Sequence, residues 1–516
     1  MLTSTIYDLL EKNLGDRAEH PAVVEQGQNT TYAELARRAD ALAGWLQHVG
    51  VRRGDRVGIH LHKSAEELVA TFAAARLGAV FVNIYYQWTV GQVDYVLRDC
   101  DVKILLVDSR RAKELAEAEL PDTLDWIVVK GPAPEHPRMV SWSDLPADLE
   151  APRTKCIDTD LTAILYTSGS SGQPKGVMLT HLNIIQGARS VATYLKNTRD
   201  DRVLGLLPMS FDYGMNQVTT MCLVGGTVVL QKVPMPAEIV RTLASERVTG
   251  MAGIPPTWIE VVRYLQSQPT ELPHLRYVTN SGGSIPKNIL EAMPKVFPGA
   301  DIYLMYGLTE AFRSAYLPPE KFHAKMGSMG MAIPNVELFV VDAERGLCGP
   351  GQQGELVHRG SLISKGYWGK PEATAEKIKV CPHLRHLIGD EKVLYSGDIV
   401  RMDEEGYLWF VSRADAMIKS SGVRVSPTEV EDIVYQSKMV RHCVAFGAAS
   451  ELHGQVVHVI VSPLEGRLLD PNELMHYCRK FMPPYMVPHA IYLWPGEMPR
   501  TGSGKLDRQA TIAAVK

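Results

Sequence analysis

The sequence predicts an α/β protein in two unequal parts: a large N-terminal domain of layered α/β subdomains plus a β-rich subdomain, and a small mobile α+β C-terminal domain. Three observations predict it. Helix and strand patterns alternate over most of the length, short β-rich pieces with frequent Gly take over from Gly327, and a polar break near residue 412 precedes a freshly capped helix. At 516 residues the chain also exceeds what a single hydrophobic core organises.

The elements follow in order. Thr31-Tyr32-Ala33-Glu34 has the form of a capping box and opens an amphipathic run to Leu46. Val57 to Leu61, Ala79 to Val82 and Ile104 to Val107 are short apolar strands, each following a helical segment. The alternation continues past Ile302-Tyr303-Leu304. Ser426-Pro427-Thr428-Glu429 is a second capping box, with proline at the first helical position. A strand at Val456 to Val461, a helix at Leu474 to Phe481 and a polar tail complete the C-terminal unit. The boundaries expected are 1–412 for the N-terminal domain, 413–416 for a hinge and 417–516 for the C-terminal domain.

Composition narrows the function. A net charge of −4 with 22% charged residues gives no general attraction to nucleic acid or anionic membrane. Seven dispersed cysteines without a CxxC pair read as reduced thiols, and the first residues lack a signal-peptide core, so a cytoplasmic protein is expected. No membrane span is expected either: the longest apolar stretch, Glu67 to Tyr86, is interrupted by Arg76 and reads as a buried helix running into a strand.

Chemistry enters after the strand end Ile164-Leu165-Tyr166. There Thr167-Ser168-Gly169-Ser170-Ser171-Gly172-Gln173-Pro174-Lys175-Gly176 supplies hydroxyl donors, glycines that let backbone N–H groups approach an anion, and one point charge. It is neither a Walker A loop nor a dinucleotide fingerprint. The string resembles the signature loop of the adenylate-forming superfamily, which comprises acyl-CoA synthetases, amino-acid adenylation domains and luciferases. The resemblance continues in the family's order through Asn280-Ser281-Gly282-Gly283-Ser284, Tyr306-Gly307-Leu308-Thr309-Glu310, Gly354-Glu-Leu356, Lys365-Gly-Tyr-Trp368, Tyr395-Ser-Gly-Asp398 with Arg413, and Arg500-Thr-Gly-Ser-Gly-Lys505. It covers the chain from about residue 5 to its end.

The resemblance implies ATP and Mg²⁺ as cofactors. Thr167 to Gly172 and Lys175 would grip the outer phosphates, Gly283, Ser284, Tyr306 and Gly307 the adenine, Asp398 and Arg413 the ribose. Thr309 would bond the α-phosphate and Glu310 the metal, while Lys505 would bridge carboxylate and α-phosphate. The C-terminal domain would then turn about Asp415 and exchange Lys505 for a face carrying Lys419 and Gly422, opening a channel for a phosphopantetheine thiol. Two residues depart from the pattern: Ser412 where glycine is usual, and Ala416 in place of a frequent second acid. Both could alter hinge energetics.

The acid itself is less defined. Phe211-Asp212 resembles amino-acid adenylation domains, where the Asp pairs with a substrate ammonium; the alternative is that Asp212 caps a helix beginning near Tyr213. The substrate set implied is Phe211, Asp212, Asn216, Ser281 and Arg313. Arg313 either holds a second substrate carboxylate or bridges to an acid in the following loop. Similarity is greatest to the AMP-ligases of exosortase systems and to enzymes that load amino acids onto carrier proteins. The expected substrate is an amino or β-amino acid passed to a carrier protein. The alternatives are a fatty or aryl acyl-CoA ligase using free CoA, and a luciferase-like oxygenase.

Overall fold

A computed structural model describes residues 3–149, 151–167, 174–414, 416–420, 423–450, 454–464, 466–482, 484, 486–502 and 504–515, with the backbone alone for 419, 420, 423 and 424. Four sheets organise these residues. The first has seven strands. Met139–Ser141, Trp126–Lys130, Val102–Asp108, Arg56–His60, Val80–Asn83 and Leu161–Thr167 run parallel, and Lys175–Thr180 turns back antiparallel at the edge. The second has nine strands, with a parallel centre that includes Arg202–Gly205, Gly250–Gly253, Tyr277–Asn280 and Asp301–Tyr306. A six-stranded antiparallel sheet follows, ending in Leu408–Arg413. A five-stranded sheet begins at Ile418–Ser420.

Helices lie between the two large sheets, and their sequences say why. Ala65–Arg76 (AEELVATFAAAR) is apolar nearly all round and buried on nearly every side, which a helix sandwiched between layers requires. Tyr32–His48 opens on Thr31, whose hydroxyl accepts the Glu34 N–H, as the capping pattern predicts. Its apolar face joins one core with Val57 and Phe81 of the first sheet and Val203, Tyr277 and Tyr303 of the second. Burial of each large side chain there contributes roughly 1.5–3 kcal/mol, so the two sheets fold as one body.

A half-buried lysine ties the layers at the site. Lys63, after the strand Arg56–His60, sends its ammonium to the carbonyls of Gly205 (2.7 Å), Gln231 (3.3 Å) and Leu206. These are strand ends of the other sheet. The bonds fix the loop that leads from Leu206 to Asp212.

The C-terminal unit differs from expectation in its tail. Ala490–Leu493 adds a parallel strand to Gly454–Pro463, and Arg508–Ala513 forms a short helix capped by Asp507. Tyr492 and Ile512 serve one small apolar cluster, too brief a pattern to stand out from polar neighbours.

Candidate active site

The carboxyl ends of the parallel strands converge on a cleft that the C-terminal lysine loop enters. Strand ends of open α/β sheets gather ligand sites because loops leave there while the sheet fixes their roots. Thr167 and Lys175 face one another across a hairpin. Ser168, Gly169, Ser170, Ser171 and Gly172 lie outside the described residues, as do Asp415 and Gly422.

Lys175 extends over the ring of Tyr367, its ammonium 5.4 Å from the centroid. The Tyr367 hydroxyl donates to Glu310 Oε1 at 2.5 Å. Burial and this carboxylate push the phenol pKa far up, so Tyr367 stays a donor. The backbone of Lys365–Trp368 runs along the edge strand Lys175–Thr180: Met178 N–H donates to Gly366 O (2.9 Å), and the N–H groups of Lys365 and Trp368 return bonds to Met178 and Gly176. Loop, acid and phenol are thereby held together. Glu310 keeps Oε2 for another ligand, and among the described residues no three acidic, His or Cys side chains cluster. One carboxylate sharing Tyr367 with Lys175 suits Mg²⁺, which takes few protein ligands and completes its shell with phosphate and water.

A second group forms around Asp398. It accepts from Arg413 Nη1 at 2.8 Å and from the Tyr306 hydroxyl. Asp398 and Arg413 are cross-strand partners, so the sheet itself sets their pairing. The N–H of Gly397 donates to Glu355 (2.8 Å), which fixes the Ser-Gly-Asp turn. Tyr306 stacks at 6.2 Å on His358, a wholly buried imidazole whose pKa falls to about 3 because burial disfavours its charge. Gly307 sits where the chain turns toward Arg313. The Asn280 amide closes its own turn on the Gly283 carbonyl (2.9 Å), leaving Gly283 and Ser284 at the surface of the cleft and Ser281 buried.

Lys505 reaches this cleft from the other domain. A Cβ on Gly282, whose φ is +84°, would lie 2.7 Å from Lys505 Cε. Lost hydration between the cleft walls lowers the ammonium pKa below the ordinary lysine value, with Asp212 and Asp398 pulling the other way. The side chain still touches solvent along the cleft.

At the residues expected to face the acid, Asp212 has a partner within the protein. Asp212 is the first residue of the helix Asp212–Val224, whose cap, Phe211, makes no side-chain bond; the carboxylate is therefore not a capping group. Nor is it free for an ammonium. Arg313 Nη1 donates to Asp212 Oδ2 at 2.5 Å and Thr309 Oγ1 to Oδ1 at 3.2 Å. Arg313 is only 2% exposed and stacks on Tyr213 at 4.9 Å. Its acid partner thus lies a hundred residues upstream rather than in the following loop, and its guanidinium already holds a carboxylate. A low-dielectric site demands such pairing.

Phe312, between these groups, has φ 54° and ψ −47°, and Arg313 N–H bonds back to Ala311 O. This is the rare positive-φ γ-turn, a strained form that aims residue 312 inward. Its ring abuts Gly187, where a Cβ would meet it at 2.3 Å. Beside it the Asn216 amide nitrogen is buried without a hydrogen-bond partner. Phe211 packs instead on Tyr85 at 5.4 Å. Lys419 stands in the strand Ile418–Ser420.

This geometry agrees with the comparisons to known proteins. The AMP-binding enzyme family matches residues 10–368, and the AMP-binding enzyme C-terminal domain matches residues 429–505. The chain belongs to the AMP-binding enzyme family. It is an AMP-forming ligase of the adenylate-forming superfamily, which activates a carboxylic acid with ATP as its acyl-AMP. Among relatives of this AMP-binding enzyme, the feruloyl-CoA synthase of Amycolatopsis sp is 31% identical over 488 residues, 94% of each chain. The medium-chain fatty-acid–CoA ligase of Escherichia coli (strain K12) is 30% identical over 505 residues, 94% of this chain and 86% of its own length. The structure of an anthranilate CoA ligase with anthranoyl-AMP superposes with a TM-score of 0.89 at 25% identity, covering 100% of this chain and 98% of that one. No helix among the described residues of this AMP-binding enzyme is long and apolar enough to cross a membrane.

Sequence reasoning passed over Tyr367, Glu355 and His358. The first two lie inside motif strings of the family, and their neighbours' chemistry could have flagged them. His358 carried no signal beyond a histidine in an apolar strand.

Proposed function

We propose that the enzyme couples an aryl-type carboxylic acid with no second charge to AMP and passes the acyl group to CoA. The observation that carries this reading is the Asp212–Arg313 pair at 2.5 Å, which neutralises the one acid that would have demanded a cationic substrate. With that charge cancelled, the half-buried rings of Phe211 and Tyr213 flank the pair and offer an apolar surface to a flat acid. The aryl acids named in the feruloyl-CoA synthase and anthranilate CoA ligase relatives support the same class, and their thiol is CoA. This reading replaces the zwitterionic acid and carrier protein expected from the sequence.

The reaction joins two anions, so its barrier is chiefly electrostatic. Lys175, behind the signature loop, neutralises the departing pyrophosphate. Thr309 and Lys505 flank the attack on the α-phosphorus. Asp398 and Arg413 hold the ribose, and Tyr306 lines the adenine. Glu310, steadied by Tyr367, would hold Mg²⁺, which supplies charge neutralisation on the phosphates when bound. The hinge at Asp415 and the Lys419–Gly422 face serve the thiol step.

ATP–pyrophosphate exchange with ferulate, anthranilate, octanoate and β-alanine tests the reading. Aryl acids should win by at least tenfold in kcat/KM. A clear preference for β-alanine, lost in Asp212→Ala, would overturn it.

A further inference from the structure

Among the described residues, glycine positions bring the lysine loop against the N-terminal domain at three points, and one of them belongs to no nucleotide motif. The loop itself is a tight hairpin: Arg500 pairs with Leu506, Thr501 N–H donates to Lys505 O (2.7 Å) and Gly504 N–H to Thr501 O (2.8 Å). The Lys505 backbone therefore moves with the loop as a whole. Two of the three contacts flank the nucleotide cleft, Lys505 on Gly282 and Gly504 on Ile254. The third is remote: Gly502 lies on Tyr85 and Trp88, beyond the carboxyl end of the strand Val80–Asn83 in the seven-stranded sheet.

That third contact is built to be rigid. Tyr85 and Trp88 are the ends of a turn closed by the Trp88 N–H on Tyr85 O at 2.9 Å. Arg111 Nη2 donates to the Trp88 carbonyl at 2.5 Å, and Arg111 Nε in turn contacts His60 Nε2 at 3.1 Å. The Tyr85 hydroxyl bonds Gln87 (2.8 Å), and its ring packs on Tyr86 at 5.0 Å and Phe211 at 5.4 Å. Phe211 directly precedes Asp212, so the ledge and the acyl side share a wall.

The fit at Gly502 depends on the ledge, not on the backbone. Its φ lies outside the left-handed region that Gly504 occupies at +81°, so any residue could adopt the conformation. A Cβ there would nevertheless stand 2.8 Å from Tyr85 Cδ1, 3.2 Å from Cε1 and 3.3 Å from Trp88 Nε1. The Tyr85 ring, packed on Tyr86 and Phe211, cannot retreat, so a side chain at 502 must lift the loop. Lifting the loop withdraws Lys505, and a displacement near 1 Å of a catalytic group costs on the order of a hundredfold in rate.

We propose that Tyr85 and Trp88 are positioning residues for acyl-adenylate formation: they form an aromatic seat that receives Gly502 and thereby holds Lys505 over Gly282. The inference rests on the assignment of Lys505 to the adenylation step alone. The seat acts only while the loop is docked, so the thiol step does not use it.

The test compares half-reactions in the full-length enzyme, with ferulate and ATP for adenylation and supplied feruloyl-AMP with CoA for thioester formation. Gly502→Val should slow adenylation by about a hundredfold, through kcat more than through KM for ATP, and leave the second half-reaction within about twofold. Tyr85→Ala should show the same split at about tenfold, and Trp88→Phe should retain activity. In Gly502→Val/Tyr85→Ala the losses should be less than multiplicative, because the second change makes room for the first. Equal loss in both half-reactions, or none in either, overturns the seat. An acid-independent readout is competitive acetylation of Lys505 by acetic anhydride across pH: its apparent pKa should rise in Gly502→Val, where the lifted loop is rehydrated, and an unchanged value overturns the seat. Lys505→Ala separates the two hypotheses. If it fails to split the half-reactions, the role of Lys505 is wrong; if it splits them and Gly502→Val does not, only the seat is wrong.

Discussion

The proposed nucleotide and acyl sides of the cleft both contain an Asp paired with an Arg, yet the two pairs are made differently. Asp398 and Arg413 stand opposite one another on adjacent strands, with Arg413 near the solvent. Asp212 and Arg313 come from a helix start and a strained turn a hundred residues apart, and both are largely buried. The first pair buries its acid and leaves its arginine half exposed. The second is a closed circuit whose charges answer each other. A charged residue in a pocket thus reports the charge of a ligand only where the protein has not already supplied its partner.

The sharpest way to separate the two sides is the lysine that stands between them. Lys505→Ala should reduce acyl-AMP formation by about a thousandfold, measured by pyrophosphate exchange, while thioester formation from supplied acyl-AMP persists. Equal loss in both steps would remove the asymmetry from the cleft. Next comes the buried pair. Arg313→Met leaves Asp212 uncompensated and should cost about 3 kcal/mol in urea unfolding. Asp212→Leu added to it should recover most of that loss, whereas additive losses would break the closed-circuit description.

On the nucleotide side, Asp398→Asn removes a charged acceptor but keeps the shape. The expected cost is about 2 kcal/mol in ATP binding with little change in folding stability, read from isothermal titration and thermal unfolding together. A large fall in stability would make Asp398 resemble Asp212 after all. The smallest effect lies beneath Tyr306. The folded His358 value, about 3, is below the 6.5 of an unfolded chain. The unfolded state therefore takes up the proton first as pH falls: this contribution is complete above 6.5 and is lost on the way down toward 3. At pH 5 the difference amounts to about 2 kcal/mol. His358→Phe should flatten the stability profile between pH 6.5 and 5, and an unchanged slope would exonerate this residue.

What was legible in the sequence follows the same division. The alternating layers, the β-rich stretch and the ordered motifs were readable because each is local: a hydroxyl-glycine-lysine string, a cross-strand acid, a capped helix. Asp212 and Arg313 were both singled out, but their mutual pairing was not, since nothing in a linear string ties residue 212 to residue 313. Phe312 gave no warning of its positive φ, which the surrounding fold imposes. Tyr85 and Trp88 belong to none of the motif strings. The added strand at Ala490–Leu493 was missed because four residues give too short a pattern to count.

The backbone run of Lys365–Trp368 along Lys175–Thr180 has a consequence outside catalysis. That strand ends the seven-stranded sheet, and its outer row of N–H and C=O groups would otherwise template pairing with another chain. Gly366 makes the covering turn at φ +97°, and a Cβ there would lie 2.2 Å from Thr374. Substitution at Gly366 peels the cover from a sheet edge, so its signature should be aggregates during expression rather than a slow enzyme. The segment that steadies Glu310 also guards the solubility of the whole domain.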